Sequence, residues 1–114
     1  MSVTCVPDPE LKAAILVKPI GLLDVEGATH FWEVVSPRLS EEASLVLVDM
    51  NGVDLMTSAG ISVLIRVLSR VQLLNGDVSL FGCNDAVRRV LRITELESLL
   101  KMCETAEEAR ARMS

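Results

Sequence analysis

A chain of 114 residues, half of them apolar, is long enough to bury one core and too short for two. Eleven Lys and Arg against sixteen acidic residues leave a formal charge of −5, which argues against duplex DNA or RNA as a partner, since a phosphate backbone calls for a basic stripe. Phe31, Trp32 and Phe81 are the only aromatics, so there is no base-stacking platform; no apolar run approaches the ~20 residues that span a bilayer, and Met1–Cys5 lacks the basic start and apolar core of a secretory signal, so a cytoplasmic protein is expected.

Val3–Val6 reads as an edge strand, followed by the turn Pro7-Asp8-Pro9. Residues 13–18 form a buried-strand candidate, and Pro19–Asp24 is expected to carry the chain out of it. Asp24 is placed to cap a helix in which Ala28, Phe31, Trp32 and Val35 recur on one side and Glu26, Thr29, His30 and Glu33 on the other. Trp32 is expected in the core, and Pro37 should end the helix. Leu45–Val48 is too continuously apolar for a half-exposed strand and belongs in the middle of a sheet. A short extended piece ending at Met56 precedes a long helix over about 58–74. Its expected core stripe is Ile61, Leu64, Ile65, Leu68 and Val71; Ser62, Arg66, Ser69 and Arg70 make its polar strip, and Asn75-Gly76 its stop.

Asp77–Phe81 is a further strand, and residues 85–94 a short helix whose Arg88, Arg89 and Arg92 read as a solvated side. Leu99–Cys103 is expected as a last short strand. Thr105-Ala-Glu-Glu108 has capping-box spacing and opens a terminal helix, with Glu104, Glu107 and Glu108 at its start and Arg110 and Arg112 near its end. Strands alternate with helices, so the expectation is an α/β fold: a single domain over 1–114, its mixed sheet of four to five strands packed with about four helices. Cys5, Cys83 and Cys103 are odd in number, widely spaced, and read as reduced thiols.

Catalysis finds little support. His30 is the single histidine, on the polar side of its helix, with no metal-ligand partner at suitable spacing. Gly52 and Gly60 lack the Lys and the spacing of a phosphate loop, and a Ser58 nucleophile would have only His30 as a base.

Residues 56–62 are more telling, because hydroxyls and free backbone N–H groups meet there at a helix start. Thr57 or Ser58 can serve as N-cap, worth roughly 1 kcal/mol. Gly60 costs about 1 kcal/mol relative to alanine in a helix. Either it leaves the first turn uncovered for another protein, or it packs tightly on its own sheet. A phosphate at this terminus gains from the helix dipole and places about −1.5 to −2 charges where a partner must touch. Arg66 lies two turns on, roughly 12 Å along the axis, and is better placed to face a partner or solvent than to clamp that phosphate.

The run Asp49-Met-Asn-Gly-Val-Asp-Leu-Met-Thr-Ser-Ala-Gly60 resembles the signature of the STAS domain, close to Asp-Leu-Ser-x-Val-x-Phe-Met-Asp-Ser-Ser-Gly, and aligns with it without gaps. Gly21-Leu-Leu-Asp24 resembles the family's Gly-x-Leu-Asp, and Ile93-Thr-Glu-Leu96 its Ile-Thr-Gly-Leu. Within the family the chain resembles bacterial anti-sigma factor antagonists. That resemblance implies a partner-switching regulator of transcription that binds a kinase-type anti-sigma factor, is released by phosphorylation, and is reset by a serine phosphatase. It implies no cofactor, ATP belonging to the kinase.

The resemblance places the phospho-acceptor on Ser58, with Thr57 as the alternative, and the partner surface on Gly21, Asp24, Thr57, Ser58, Ala59, Gly60, Ser62 and Arg66. Thr57 stands where the family has Asp, Ala59 where it has a second Ser or Thr, and Leu22 where a polar residue is common. Without phosphorylation, the family offers instead a scaffold, or a subunit of an ABC-type lipid-transport complex. The edge strand at Val3–Val6 leaves homodimers open.

Overall fold

The computed structural model describes residues 1–113. Its sheet has five strands: β1 (Ser2–Pro7), β2 (Ala14–Leu23), β3 (Leu45–Asp49), β4 (Val53–Met56) and β5 (Asp77–Phe81), in the order β1-β2-β3-β5 with β4 paired to β2. Four helices accompany them: α1 (Val25–Val35), α2 (Ser58–Gln72), α3 (Asp85–Ile93) and α4 (Ala106–Met113). β1 is antiparallel to β2, whereas β2–β3, β2–β4 and β3–β5 are parallel, as strand–helix–strand crossovers dictate. The expected mixed α/β sheet is thus the observed one.

β3 lies between β2 and β5 with Val46, Leu47 and Val48 fully buried, so its apolar run is explained by cover on both faces. Alternate residues divide between two layers. Ile15, Val17, Val46, Val48, Val78 and Leu80 face the main core with α1, α2 and α3. Leu47, Phe81 and Cys103 face the smaller cluster closed by Ala109 of α4.

Three expectations are corrected. β2 does not end at Lys18 but runs on to Leu23. Pro19 is tolerated because it falls between Val17, the last partner of β3, and Gly21, the first partner of β4. A register shift between Gly21 and Leu22, with Gly21 at φ +113°, then turns the strand toward β4. Leu99–Cys103 is not a strand: residues 97–101 turn, and only Cys103 bridges Phe81. Leu80 N–H donates to Leu100 O and Cys103 N–H to Leu80 O, so this segment covers the outer edge of β5. Finally, α2 buries Gly60, Val63, Leu64, Val67, Leu68 and Val71, its stripe turned so that Val63 and Val67 are inside while Ile61 and Ile65 flank it.

The other edge, β1, is blunted. Val3, Cys5 and Pro7 share one side of the ladder; Pro7 has no N–H, and Arg38 donates to Cys5 O at 2.9 Å. Across the β1–β2 turn, Arg110 of α4 grips the buried Asp8 carboxylate through Nε and an η nitrogen at 3.0 Å each, and also reaches Glu10 at 3.0 Å. Burial pushes the Asp8 carboxyl up, but the bonds from Arg110, Leu11 N–H and Glu10 N–H prevail and hold it below the usual carboxylate range.

Candidate functional site

Parallel strands deliver α1, α2 and α3 to the same end of the sheet, so three helix N-termini gather where the strands finish. Two are closed by side chains. Asp24 accepts from Gly27 N–H at 2.9 Å, and Asn84 from Val87 N–H at 2.9 Å. Asn84 also donates to Val53 O and Asp54 O at 3.1 and 3.0 Å, tying α3 to β4.

The third is open. Thr57 occupies the N-cap position of α2 in extended geometry, yet its side chain caps nothing; its hydroxyl points back to Leu23 O at 3.4 Å, beside its own N–H at 3.1 Å. The capping role that would account for a hydroxyl here is therefore not exercised. Ser58, the first helical residue, is exposed, and its Oγ has no hydrogen bond among the described residues.

Gly60 resolves its two readings in favour of packing. It is buried, and a Cβ there would stand 2.6 Å from Leu23 O and from Met56 Cγ. It seats α2 against β2 and β4. Gly21 is likewise drawn inward, its N–H bonded to Gly52 O at 2.8 Å and Met1 lying over it. Asp24, as the α1 cap, has its carboxylate engaged. Of the residues expected to form a surface, the structure brings Ser58, Ala59, Ser62 and Arg66 onto one side of α2, with Thr57 at its N-cap turned toward β2.

Around them stands apolar surface that the sequence reading largely missed. Leu22 and Leu55 are cross-strand partners on β2 and β4, 50 % and 54 % exposed, and Val25 at the start of α1 is 70 % exposed. Alternation could not have flagged Leu55: it lies two residues from the buried Val53, on what a regular strand would make the same face, yet it is exposed. Trp32 is corrected from core to groove wall. Its ring lies under the Arg66 guanidinium, 3.9 Å from centroid to carbon, with the side chain only partly buried. Between α1 and α2 a groove of about 470 Å³ runs from the first turn of α2, walled by Val25, Ala28 and Trp32 on one side and Ala59, Val63 and Arg66 on the other.

Reactive groups are sparse. His30 is exposed on α1, and among the described residues no three His, Cys, Asp or Glu side chains converge to hold a metal. Burial pushes the Cys83 thiol up to about 11, against the pull of Arg88, so it stays protonated at neutral pH. No described helix is long and apolar enough to cross a membrane. The arrangement is an unengaged hydroxyl on an uncapped helix start, bordered by exposed apolar side chains.

Comparisons with known proteins agree with this fold. A Thermotoga neapolitana protein described as an anti-sigma factor antagonist homologous to TM1081 is 29 % identical over 97 residues, covering 83 % of this chain and 85 % of its own length. The crystal structure of TM1081 from Thermotoga maritima, described as an anti-sigma factor antagonist, superposes with a TM-score of 0.85 at 21 % identity, covering 96 % of this chain and 92 % of that one. The anti-sigma factor antagonist SpoIIAA, a Bacillus cell fate determinant, shares the fold in its unphosphorylated form (TM-score 0.81, 17 % identity, 97 % and 95 % covered) and its phosphorylated form (TM-score 0.71, 16 % identity, 96 % and 98 % covered). The family model that matches residues 6–109 is the STAS domain, and the chain belongs to that family.

Proposed function

We propose that this protein is an anti-sigma factor antagonist that binds a kinase-type anti-sigma factor and is switched by phosphorylation of Ser58. The observation that carries the reading is the exposed, uncommitted Ser58 hydroxyl at the uncapped start of α2. The Leu22–Leu55 pair, Val25, Ala59, Ser62 and Arg66 surround it as the binding face, while Gly21 and Gly60 shape the backbone beneath.

Apolar surface of this kind supplies affinity on burial, at about 25 cal/mol per Å². Ser58 supplies control: a phosphate there is favoured by the α2 dipole, so the modified domain keeps its fold while about −1.5 to −2 charges enter a surface that must be desolvated to bind. Thr57, with its hydroxyl turned to Leu23 O, is the less available acceptor. The antagonist contributes the hydroxyl, the kinase its ATP, and a serine phosphatase the reset.

The direct test is intact-mass measurement after incubation with a cognate kinase-type anti-sigma factor and ATP. One added phosphate is expected on the natural chain and on Thr57→Ala, and none on Ser58→Ala. A phosphate retained in Ser58→Ala and lost in Thr57→Ala would move the acceptor; no phosphate in any form would remove the switch and leave the binding role to be judged by complex formation alone.

A further inference from the structure

The α1–α2 groove is not required by phosphoryl transfer to Ser58, yet it opens directly from that first turn. We propose that it seats an acidic segment of the partner, one carboxylate on the Arg66 guanidinium and an adjacent apolar side chain against Trp32, Ala59 and Val63. The proposal rests on the antagonist reading above and names the chemistry that the partner brings to the same face.

Three observations carry it. The groove's volume of about 470 Å³ admits one or two side chains, and its walls are mainly apolar. The Arg66 guanidinium carbon lies over the Trp32 ring, 3.9 Å from its centroid, a contact that restrains the guanidinium in advance of a bidentate carboxylate. Among the described residues no carboxylate pairs with it, in contrast to Arg110, whose donors are taken by Asp8 and Glu10. Charge complementarity therefore selects a carboxylate, and Glu33, the other charge in the lining, repels it from the α1 wall toward α2.

Continuity with Ser58 gives the groove a part in regulation. Arg66 stands two turns from Ser58, about 12 Å along the axis, too far to neutralise a phosphate there by contact. That distance exceeds the screening length of about 8 Å at physiological salt, so a phosphate on Ser58 is largely screened from a carboxylate held at Arg66. It repels instead the part of the acidic segment that lies against the first turn of α2. Phosphorylation then weakens the end of the interface next to Ser58 and leaves the Arg66 end standing.

Trp32 is the chain's single tryptophan, so replacing it biosynthetically with 5-fluorotryptophan places one ¹⁹F resonance in the groove wall. The labelled protein is titrated with each kinase-type anti-sigma factor encoded in the same genome, and affinities are measured for the natural chain, Arg66→Lys and Arg66→Glu. Complex formation is expected to shift the resonance; Arg66→Glu is expected to lose about tenfold or more in affinity, and Arg66→Lys less. Should Arg66→Glu fold poorly, the Arg66→Lys affinity and the ¹⁹F shift still decide. A complex that forms with an unmoved resonance and unchanged affinity in the Arg66 variants overturns the groove assignment and leaves the antagonist reading standing. A resonance that moves on self-dilution alone gives the groove to a second copy and overturns it too. No complex with any such factor overturns both.

Discussion

Three helices start at the same end of the sheet, and they differ in how they start. α1 and α3 are closed by Asp24 and Asn84, whose carboxylate and amide oxygens accept first-turn N–H groups at 2.9 Å. α2 has a residue able to do the same, Thr57, and leaves the cap unmade. A missing cap costs about 1 kcal/mol, so the open terminus is tolerated only because something else seats α2. That something is burial: Gly60 sits against β2 and β4 while Val63, Leu64 and Val67 lie in the main core between α1 and β5, and local end-stability becomes dispensable. The lesson is a division of labour. The capped starts fix the frame, and the packed but uncapped start is free to present Ser58.

The largest break in this contrast is expected at Gly60. Gly60→Ala forces a Cβ to within 2.6 Å of Leu23 O, and the strand backbone cannot swing away as a flexible side chain would. A loss of about 2–3 kcal/mol is expected in urea unfolding, as for overpacked cores. Next comes Asn84→Ala, which removes the α3 cap together with both bonds to β4; about 2 kcal/mol is expected, against about 1 kcal/mol for Asp24→Ala, whose carboxylate caps α1 only. Equal losses at the two sites would mean that the link from α3 to β4 contributes nothing.

Thr57→Asp sharpens the comparison in the opposite direction. A carboxylate at the empty cap is expected to raise stability by about 0.5–1 kcal/mol at neutral pH through the first-turn N–H groups and the helix dipole. The sign with pH follows from linkage: a carboxylate stabilised in the folded state adds stability above its unfolded pKa, and the gain disappears as pH falls through the folded one. Parallel urea titrations at pH 7 and pH 3 check it. The smallest effect belongs to Ser58→Ala, whose hydroxyl has no described hydrogen bond: less than about 0.5 kcal/mol in stability, with phosphate acceptance abolished in the mass measurement. A larger loss would show that Ser58 is structural and would break the contrast itself.

Much of this was legible one element at a time. The four apolar residues at 45–48 pointed to a central strand because only a doubly covered strand is apolar on both faces. Asp24 as a cap and the Asn75 stop, at φ +59°, follow from side-chain chemistry within a few residues of each. Thr105 likewise accepts from Glu108 N–H at 3.2 Å, as its spacing predicts, although the Glu108 carboxylate reaches Glu104 N–H rather than closing the box. Pro19 and Gly21 misled for the same local reason: they read as strand breakers, and only the hand-over of β2 from β3 to β4 makes room for them. Leu99–Cys103 was apolar enough for a strand, but it covers the β5 edge through two bonds while turning.

What the sequence determined by itself is most of the element inventory, the mixed α/β plan, and a hydroxyl pair at the start of the longest helix, since periodicity and capping chemistry act over a few residues. What only the tertiary structure decided is how neighbours meet. Gly60 packs instead of opening, Leu22 and Leu55 lie side by side, and Trp32 leaves the core to support Arg66 across a groove. Each depends on two segments more than thirty residues apart, brought together by crossovers whose packing no local pattern encodes.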